Sequence, residues 1–297
     1  MKKSLLSGLL AATIAITTPS ISIAKSSVWK VSKNNTHLFL GGTVHILSAD
    51  DYPLPCEFGA AYSVSEKLFF ETDFSAEKLL QAGTEMLKQG VYPQGDGLAN
   101  RLSDKTLTDL KEHLTSLGLP AEQFLNFKPG VLLSFITVAQ LNNIGIQTAG
   151  VDKHYYDLAK KDKKATGYFE EINEQISFLV KMGIDNEENF IRYTLEGMEN
   201  LETQFLGMRE SWRNGNTDLL ADFSELDELR SKFPAVFETL LTSRNEQWLT
   251  RVDSLIESAE VEYILVGALH LAGPEGLLAR LESKGYQIDQ LSCTYKR

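Results

Sequence analysis

The sequence lacks the short motifs that mark several large classes of enzyme. It contains no His-Glu-x-x-His, no Gly-x-Ser-x-Gly, no Walker loop, no Gly-x-Gly-x-x-Gly and no Cys-x-x-Cys. These absences remove support for dinucleotide, nucleotide and serine-hydrolase chemistry. Basic clusters are also missing from a chain whose formal net charge is −11 at pH 7. The acidic balance argues against nucleic acid and against anionic membranes as partners.

Residues 1–24 have the pattern of a secretory signal peptide. Two lysines precede a mostly apolar run at residues 5–18, and Pro19 ends that run. Small residues at and before Ala24 predict cleavage after Ala24. An uncleaved anchor is the alternative, but a membrane span needs about 20 apolar residues and this run is shorter. We therefore expect a periplasmic or secreted protein without stable membrane insertion, with residues 25–297 forming one domain.

Cysteine is scarce, and only Cys56 and Cys293 are present. An even pair in an exported chain allows a disulfide, because the compartment is oxidising. Two free thiols are the alternative at this stage.

Strand patterns occur at both ends of the chain, whereas helical patterns fill the middle. Short apolar runs predict strands at residues 29–31, 37–42, 67–71, 164–169, 261–266 and 286–293. The sequence therefore predicts an α/β (α+β) fold, in which a mixed β-sheet formed by both chain ends carries a large helical region.

Three helices in this pattern have predicted boundaries that the structure can test. One helix is predicted over residues 186–213. Another begins at Pro234 and carries Arg244 and Trp248. A third begins around Pro274, because proline suits the first position of a helix.

Two segments of the sequence resemble each other. Residues 38–45 and 263–270 each consist of an apolar strand followed by Gly-x-x-His, ending at His45 and His270. The match fits a diverged internal duplication, although eight residues can also match by chance. Both histidines follow a glycine at the end of a strand, where sites form in α/β sheets. Taken singly, each fits a hydrogen-bonded core histidine, but the matched pair favours a functional site.

Acidic and basic candidates accompany the two histidines. Glu71 ends an apolar strand, so it can ligate a metal or act as a general base on metal-bound water. Asp73 better suits capping of the next helix. Arg244 can bind a carboxylate or stabilise an oxyanion, with a solvated helix face as the alternative. Capping and surface roles are the default for Glu170 and Gln175. The remaining histidines have only structural indications: His37, His113 and His154.

These motifs, in their order and spacing over residues 28–291, resemble the TraB/GumN family, which is related to the animal Tiki proteins. The resemblance rests on Gly41-Gly42-Thr43-Val44-His45, Phe70-Glu71-Thr72-Asp73, Gly150-Val151-Asp152, Phe169-Glu170 with Gln175, Trp212 with Gly215, Arg244-Asn245, and Val266-Gly267-Ala268-Leu269-His270 continuing to Gly285-Tyr286.

The resemblance implies a metal-dependent hydrolase, because Tiki members act as Mn- or Co-dependent proteases. The family's proposed active centre falls on His45, His270 and Glu71 here. The chain departs from the usual Leu-Glu-Thr at Phe169-Glu170-Glu171, which weakens a specific role for Glu170. The wider superfamily also contains erythromycin esterases and haem-associated proteins, so the fold leaves the substrate open.

The sequence therefore predicts an exported hydrolase, with a peptide or protein as substrate. A divalent ion (Mn, Co or Zn) would be held by His45, His270 and Glu71, and Arg244 would stabilise negative charge. A non-catalytic haem- or peptide-binding envelope protein of the same fold is the alternative, and a structural or regulatory envelope protein is another.

Overall fold

The computed structural model describes residues 24–293. The predicted signal peptide lies outside this range, apart from Ala24. The strands are β1 (Ala24–Lys33), β2 (Thr36–Thr43), β3 (Ile46–Leu47), β4 (Lys67–Phe70), β5 (Thr148–Ala149), β6 (Ala165–Tyr168), β7 (Glu262–Gly267) and β8 (Gln287–Cys293). Six of them form one sheet in the order β6-β4-β7-β2-β1-β8, and β3 pairs with β5.

The large sheet is mixed and draws its strands from both ends of the chain, which confirms the predicted fold class. Strands β6, β4, β7 and β2 run parallel to one another, whereas β1 is antiparallel to both β2 and β8. The central strands β4 and β7 are apolar runs such as Leu68-Phe69-Phe70, and helices cover both their faces. Such runs are typical of parallel strands buried on both sides.

Helices fill the sequence between β4 and β7 and also pack on the sheet. The α-helices are α1 (Cys56–Val64), α2 (Ala76–Gln89), α3 (Asp104–Ser116), α4 (Ala121–Phe124), α5 (Pro129–Asn143), α6 (Val151–Asp162), α7 (Ile172–Lys181), α8 (Glu187–Met198), α9 (Leu201–Asn214), α10 (Thr217–Phe223), α11 (Leu226–Lys232), α12 (Pro234–Phe237), α13 (Ser243–Ile256) and α14 (Leu277–Ser283).

Two predicted helix boundaries are wrong. The single helix over residues 186–213 is divided, because the chain turns between α8 and α9, where the Asn200 N–H donates to the Gly197 carbonyl. Glycine near the end of α8 favours such a break, since it has low helix propensity. Pro274 lies in a turn in which the Gly276 N–H donates a hydrogen bond to the Gly273 carbonyl. The helix α14 therefore begins only at Leu277.

The helix predicted to begin at Pro234 is confirmed, with one irregularity. Between α12 and α13, residues Glu238–Thr242 form a π-helical segment, and Arg244 follows it directly. An inserted π-turn changes the direction of the side chains that come after it and occurs frequently at functional sites.

Cys56 and Cys293 form a disulfide, with their Cα atoms 6.3 Å apart. The bond ties the start of α1 to the end of β8, and the Cys293 N–H donates to Glu57. Such bonds persist in oxidising compartments. Within residues 24–293, every helix is too short or too polar to cross a membrane.

Candidate active site at the carboxyl edge of the sheet

The carboxyl ends of four parallel strands meet at one edge of the sheet, and each strand delivers one side chain there. His45 follows β2, Glu71 follows β4, Glu170 follows β6 and His270 follows β7. The register explains the convergence, since Thr43 pairs with Gly267 and Phe70 pairs with Tyr168. In open α/β sheets this edge is where ligands bind.

Gly267 leaves the space into which three of these side chains converge. A Cβ atom on Gly267 would lie 3.0 Å from Oε1 of Glu71, 3.6 Å from Cδ2 of His270 and 3.9 Å from Nε2 of His45. The residues of the two Gly-x-x-His motifs, 225 positions apart in sequence, thus surround a single point in space. A side chain in place of Gly267 would therefore crowd the Glu71 carboxylate.

Arg244 lies at the centre of a buried ion cluster. Its Nη2 donates to Oε2 of Glu71 at 2.6 Å, and its Nε donates to Oε1 of Glu170 at 2.7 Å. Nη2 also reaches Oε2 of Glu170, while Nη1 donates to the Leu240 carbonyl and to Nε2 of His270. A guanidinium has five N–H donors, and each of them therefore has an acceptor. Arg244 has no N–H left for a substrate.

His270 is held as a neutral imidazole by its neighbours. A guanidinium cannot accept a hydrogen bond, so Nε2 of His270 must accept from Arg244, at 2.9 Å. The Nδ1–H then donates to Oδ1 of Asn245 at 2.7 Å. Burial lowers the pKa of His270 to about 3, which agrees with the neutral form. Both ring nitrogens of His270 form hydrogen bonds within the protein, so neither is free to bind a ligand or to accept a proton from one.

Glu71 and Glu170 are the two buried carboxylates of the cluster. Burial opposes ionisation of Glu71, but the charge of Arg244, supported by His45 and the Gly267 N–H, lowers its pKa to about 2. Burial raises the pKa of Glu170 despite its contacts with Arg244. Gln175 donates to both carboxylates. Glu71 is therefore ionised at neutral pH and is a weak proton acceptor.

His45 differs from His270, because one of its ring nitrogens is free. Nδ1 lies 2.9 Å from Oδ1 of Asp152, a buried carboxylate at the start of α6. The imidazole itself is 60% exposed. The Asp152 charge raises the pKa of His45 to about 9 against the opposing effect of desolvation. Within residues 24–293, Nε2 has no hydrogen-bond partner and faces the point beside Gly267.

A cavity of about 290 Å³ opens above this cluster. His45 and His270 are the histidines in its lining, and Glu71 and Arg244 form its polar floor. The remaining lining is mostly apolar and comes from the two Gly-x-x-His motifs, α9, α10 and the π-helical segment: Val44, Met208, Leu220, Leu240, Leu241, Ala268 and Leu269. The predicted residues His45, Glu71, Arg244 and His270 therefore share one cavity.

The family model for TraB/PrgY/gumN proteins matches residues 27–290. The chain belongs to the TraB/PrgY/gumN family. It is 23% identical over 254 residues to the uncharacterized protein YbaP of Escherichia coli (strain K12), a match covering 83% of this chain and 88% of YbaP. YbaP of Shigella flexneri matches over the same length with the same identity. No solved structure gives a significant match. The resemblance inferred from the motifs is confirmed, and the descriptions of these relatives name no activity.

The resemblance to this family predicts a divalent ion as cofactor. Such an ion needs ligand atoms of His45, Glu71 and His270 that lie close together and are free of other partners. Within residues 24–293, ligand atoms of His45, Glu71 and His270 do not all come within 4.8 Å of one another. Nε2 of His270 and Oε2 of Glu71 are occupied by the Arg244 cation. As they lie, these side chains do not fit a resident ion, and metal ligation by His45, Glu71 and His270 stays a prediction from the sequence.

The sequence does not predict a functional role for two residues of this TraB/PrgY/gumN site, Glu170 and Asp152. The expected capping and surface roles of Glu170 are wrong, because its side chain is buried and also accepts from Trp248 at 2.9 Å. In the sequence Asp152 belongs only to a family motif. The one signal for Glu170 is its place directly after a strand, which it shares with Glu71.

The other candidates lie outside the cavity of this family member. Asp73 accepts from the Ser75 N–H and from the Tyr156 hydroxyl, so it organises the turn before α2. The remaining three histidines are on β2, α3 and α6, and none lines the cavity: His37, His113 and His154.

Proposed function

We propose that this TraB/PrgY/gumN protein is an exported hydrolase in which His45 activates water for attack on a carbonyl carbon, with peptides as the substrate class. The observation that carries the proposal is the state of His45. Its Nδ1 is held by Asp152 while its Nε2 is free and faces the cavity. A base with one nitrogen oriented by a carboxylate and the other directed at the reacting atoms is a recurrent arrangement in hydrolysis.

The proposed step needs the neutral form of His45. Nε2 takes a proton from water, and the resulting hydroxide attacks the carbonyl carbon. The imidazolium, stabilised by Asp152 at 2.9 Å, then returns the proton to the leaving amine as the carbon–nitrogen bond breaks. The proton taken from water leaves with the amine, and the electron pair of the broken carbon–nitrogen bond stays on the amine nitrogen. The step therefore needs no further reactant.

The ion cluster below His45 has a positioning role in this proposal. Every N–H of Arg244 and both nitrogens of His270 are engaged within the protein. Oε1 of Glu71 accepts from the Gly267 N–H at 2.6 Å. These contacts fix the second Gly-x-x-His loop against the floor of the cavity, and the charge of Arg244 offsets the buried carboxylates. No step is assigned to a metal, because the donors are already occupied.

Export is supported by the disulfide between Cys56 and Cys293, since such bonds are rare in reducing compartments. The predicted signal peptide, with a periplasmic or secreted location, belongs to the same proposal.

The test is hydrolysis of a quenched-fluorescent peptide library by the purified chain, with metal analysis of the same preparation. We expect His45→Ala to abolish cleavage and Asp152→Asn to lower kcat/KM by roughly 100-fold or more. His154→Ala is the matched control. His154 lies two residues after Asp152 but outside the cavity, and this variant should keep wild-type activity.

Each result of this experiment decides between the proposal and a rival. Cleavage that persists in a chelator supports the proposal. Cleavage that requires one tightly bound divalent ion, lost on His45→Ala or His270→Ala, would overturn water activation by His45 and favour the metal site. If the wild type cleaves nothing but binds haem with an absorption band lost on His45→Ala, the protein is a carrier.

A further inference from the structure

The helix α2 packs on the protein with one face and presents the other face to water. Ala82 and Met86 pack against the apolar cluster that α5 and α7 form. Gln81 adds a hydrogen bond from its Nε2 to Oδ1 of Asn173 on α7, at 3.3 Å. Even so, none of the 14 residues of α2 is buried. The packed face therefore uses only part of the apolar surface that this helix carries.

The bare face of α2 carries two leucines that are among the most exposed apolar side chains within residues 24–293. Leu80 is 75% exposed and Leu87 is 58% exposed. Because they are seven residues apart, they lie on the same face of the helix, roughly 10 Å apart along its axis. Single exposed leucines are ordinary on protein surfaces, but apolar side chains that are aligned on one face mark an interaction surface.

The positions between the two leucines allow a second helix to approach closely. Gly83 has no side chain, and a Cβ atom placed there would meet no neighbouring atom within 4 Å. The hydroxyl of Thr84 already donates to the Leu80 carbonyl at 3.0 Å, so burying it would leave no hydroxyl without a partner. We call Leu80, Gly83, Thr84 and Leu87 the α2 stripe. This stripe can be covered without a large polar cost.

The charges at the two ends of the α2 stripe indicate what covers it. Glu77 and Lys88 are both exposed, and eleven residues are about three helical turns, so the two lie along the same flank of α2. The ammonium of Lys88 is 3.9 Å from Glu85, and its side chain is 74% exposed. An antiparallel second copy with its Leu87 against Leu80 would bring its Lys88 opposite Glu77. A parallel copy would place like charges together, which is unfavourable.

We propose that the α2 stripe binds the α2 stripe of a second copy of this chain, as an antiparallel pair with two-fold symmetry. Such a contact is closed, so association stops at the dimer. A contact confined to one helix from each copy is smaller than the roughly 1,200–2,000 Å² of stable interfaces, so the dimer is weak, with a micromolar or higher dissociation constant. This pairing is independent of the proposed hydrolase, because α2 lies outside the lining of the cavity.

A lipid surface suits the α2 stripe less well than a second copy does. Helices that lie in a membrane interface have a polar face rich in lysine and arginine. The charged residues of α2 are two glutamates and two lysines: Glu77, Lys78, Glu85 and Lys88. Their charges cancel, and the chain as a whole is acidic. Anionic lipid therefore gains no electrostatic attraction from this helix.

The apolar part of the pairing is tested by sedimentation velocity of the purified chain, from low micromolar to near-millimolar concentration. We expect the wild type to shift from monomer toward dimer over this range. Leu80→Gln with Leu87→Gln keeps good helix propensity and removes both apolar contacts, so association should weaken by roughly 100-fold or more. The matched control is Leu206→Gln with Leu219→Gln. It removes two exposed leucines on α9 and α10 and should leave the association unchanged.

The antiparallel orientation is tested by reversing the charges. Glu77→Lys alone and Lys88→Glu alone each place like charges opposite each other in the dimer, so each should weaken association by roughly tenfold. The two substitutions together restore opposite charges and should bring association back to within about threefold of wild type. The double reversal also puts the unfavourable charge at both ends of the helix dipole, so it cannot restore association by stabilising α2.

Each part of the pairing has its own contrary result. A wild type that stays monomeric at near-millimolar concentration, or a dimer that survives Leu80→Gln with Leu87→Gln, overturns pairing through α2. A double charge reversal that associates no better than the single reversals overturns the antiparallel orientation. If the wild type is monomeric and floats with uncharged phosphatidylcholine vesicles, and the leucine double variant does not float, the α2 stripe binds lipid and the proposal is wrong.

Discussion

Replacing Arg244 by Met should strongly destabilise the protein at neutral pH. Arg244 is 8% exposed and forms ion pairs with Glu71 and Glu170 in the same buried cluster. The pKa of Glu71 is about 2 in the folded state, against about 4.3 for a free side chain. At about 1.4 kcal/mol per pKa unit, loss of this shift alone costs about 3 kcal/mol at pH 7. This agrees with about 3–5 kcal/mol for breaking a buried ion pair.

The assay is urea unfolding of wild type and Arg244→Met at pH 7.5 and pH 5, with thermal unfolding beside it. At pH 7.5 we expect a loss of about 3 kcal/mol, or a Tm decrease of roughly 6–12 °C. In wild type the folded pKa of Glu71 is depressed, so its contribution is present above pH ~4.3 and is lost toward pH ~2. In the variant, burial without the cation raises the pKa values of Glu71 and Glu170. Stability of the variant should therefore increase as the pH falls, and the difference from wild type should narrow.

The control is Arg192→Met, which removes an arginine whose partner Glu196 is 4.0 Å away, with both side chains more than half exposed. A pair of this kind contributes about 0–1 kcal/mol. Glu170→Gln in the Arg244→Met background should restore part of the lost stability, because it removes one unpaired carboxylate. If Arg244→Met has the stability and pH dependence of the Arg192→Met control, the account of the ion cluster is refuted.

Two further predictions concern the pH dependence of activity and the disulfide. Because only neutral His45 can accept a proton, kcat/KM should rise with pH to an inflection near 9. Asp152→Asn should move the inflection toward about 6.5, and an unchanged inflection would contradict the role of Asp152. The Cys56–Cys293 bond closes a separation of 237 residues, so Cys56→Ser should lower the free energy of unfolding by roughly 2–5 kcal/mol. Under reducing conditions the wild type should match Cys56→Ser, and a difference there would show that the effect is not the bond.

The sheet could be predicted from the sequence because its strands are short apolar runs with clear ends. The pattern before His45 and His270 marks two strands, and burial on both faces explains why these runs do not alternate. The helical region was harder to predict, because a continuous helical pattern over residues 186–213 does not show where the chain turns. Gly197 lowers the helix propensity near the turn, but a single glycine is tolerated inside many helices and does not fix the break by itself. The two helices also pack on different elements, α8 on α3 and α5 and α9 on α10 and β1, and this long-range packing has no local signal.

The candidate site was partly predictable for the same reason. His45, His270 and Glu71 each stand at the end of a recognisable strand, so topology alone brings them to one edge. Asp152 and Glu170 reach the same edge through long-range pairing. The Gly150 N–H donates to the His45 carbonyl, and the register of β6 on β4 places Glu170 beside Glu71. Neither pairing has a signature within its own segment of the sequence.

The position of β1 has a consequence for how the chain is made. Within residues 24–293, β1 is the first strand along the chain and β8 is the last, and the two are neighbours in the sheet. A chain that emerges N-terminus first, from a ribosome or through a translocation pore, cannot pair this edge of β1 until residues 287–293 have emerged. Until then the backbone N–H and C=O groups on that edge lack their partners in β8. The sheet therefore gains its edge strand β8 only after the residues before Gln287 have emerged.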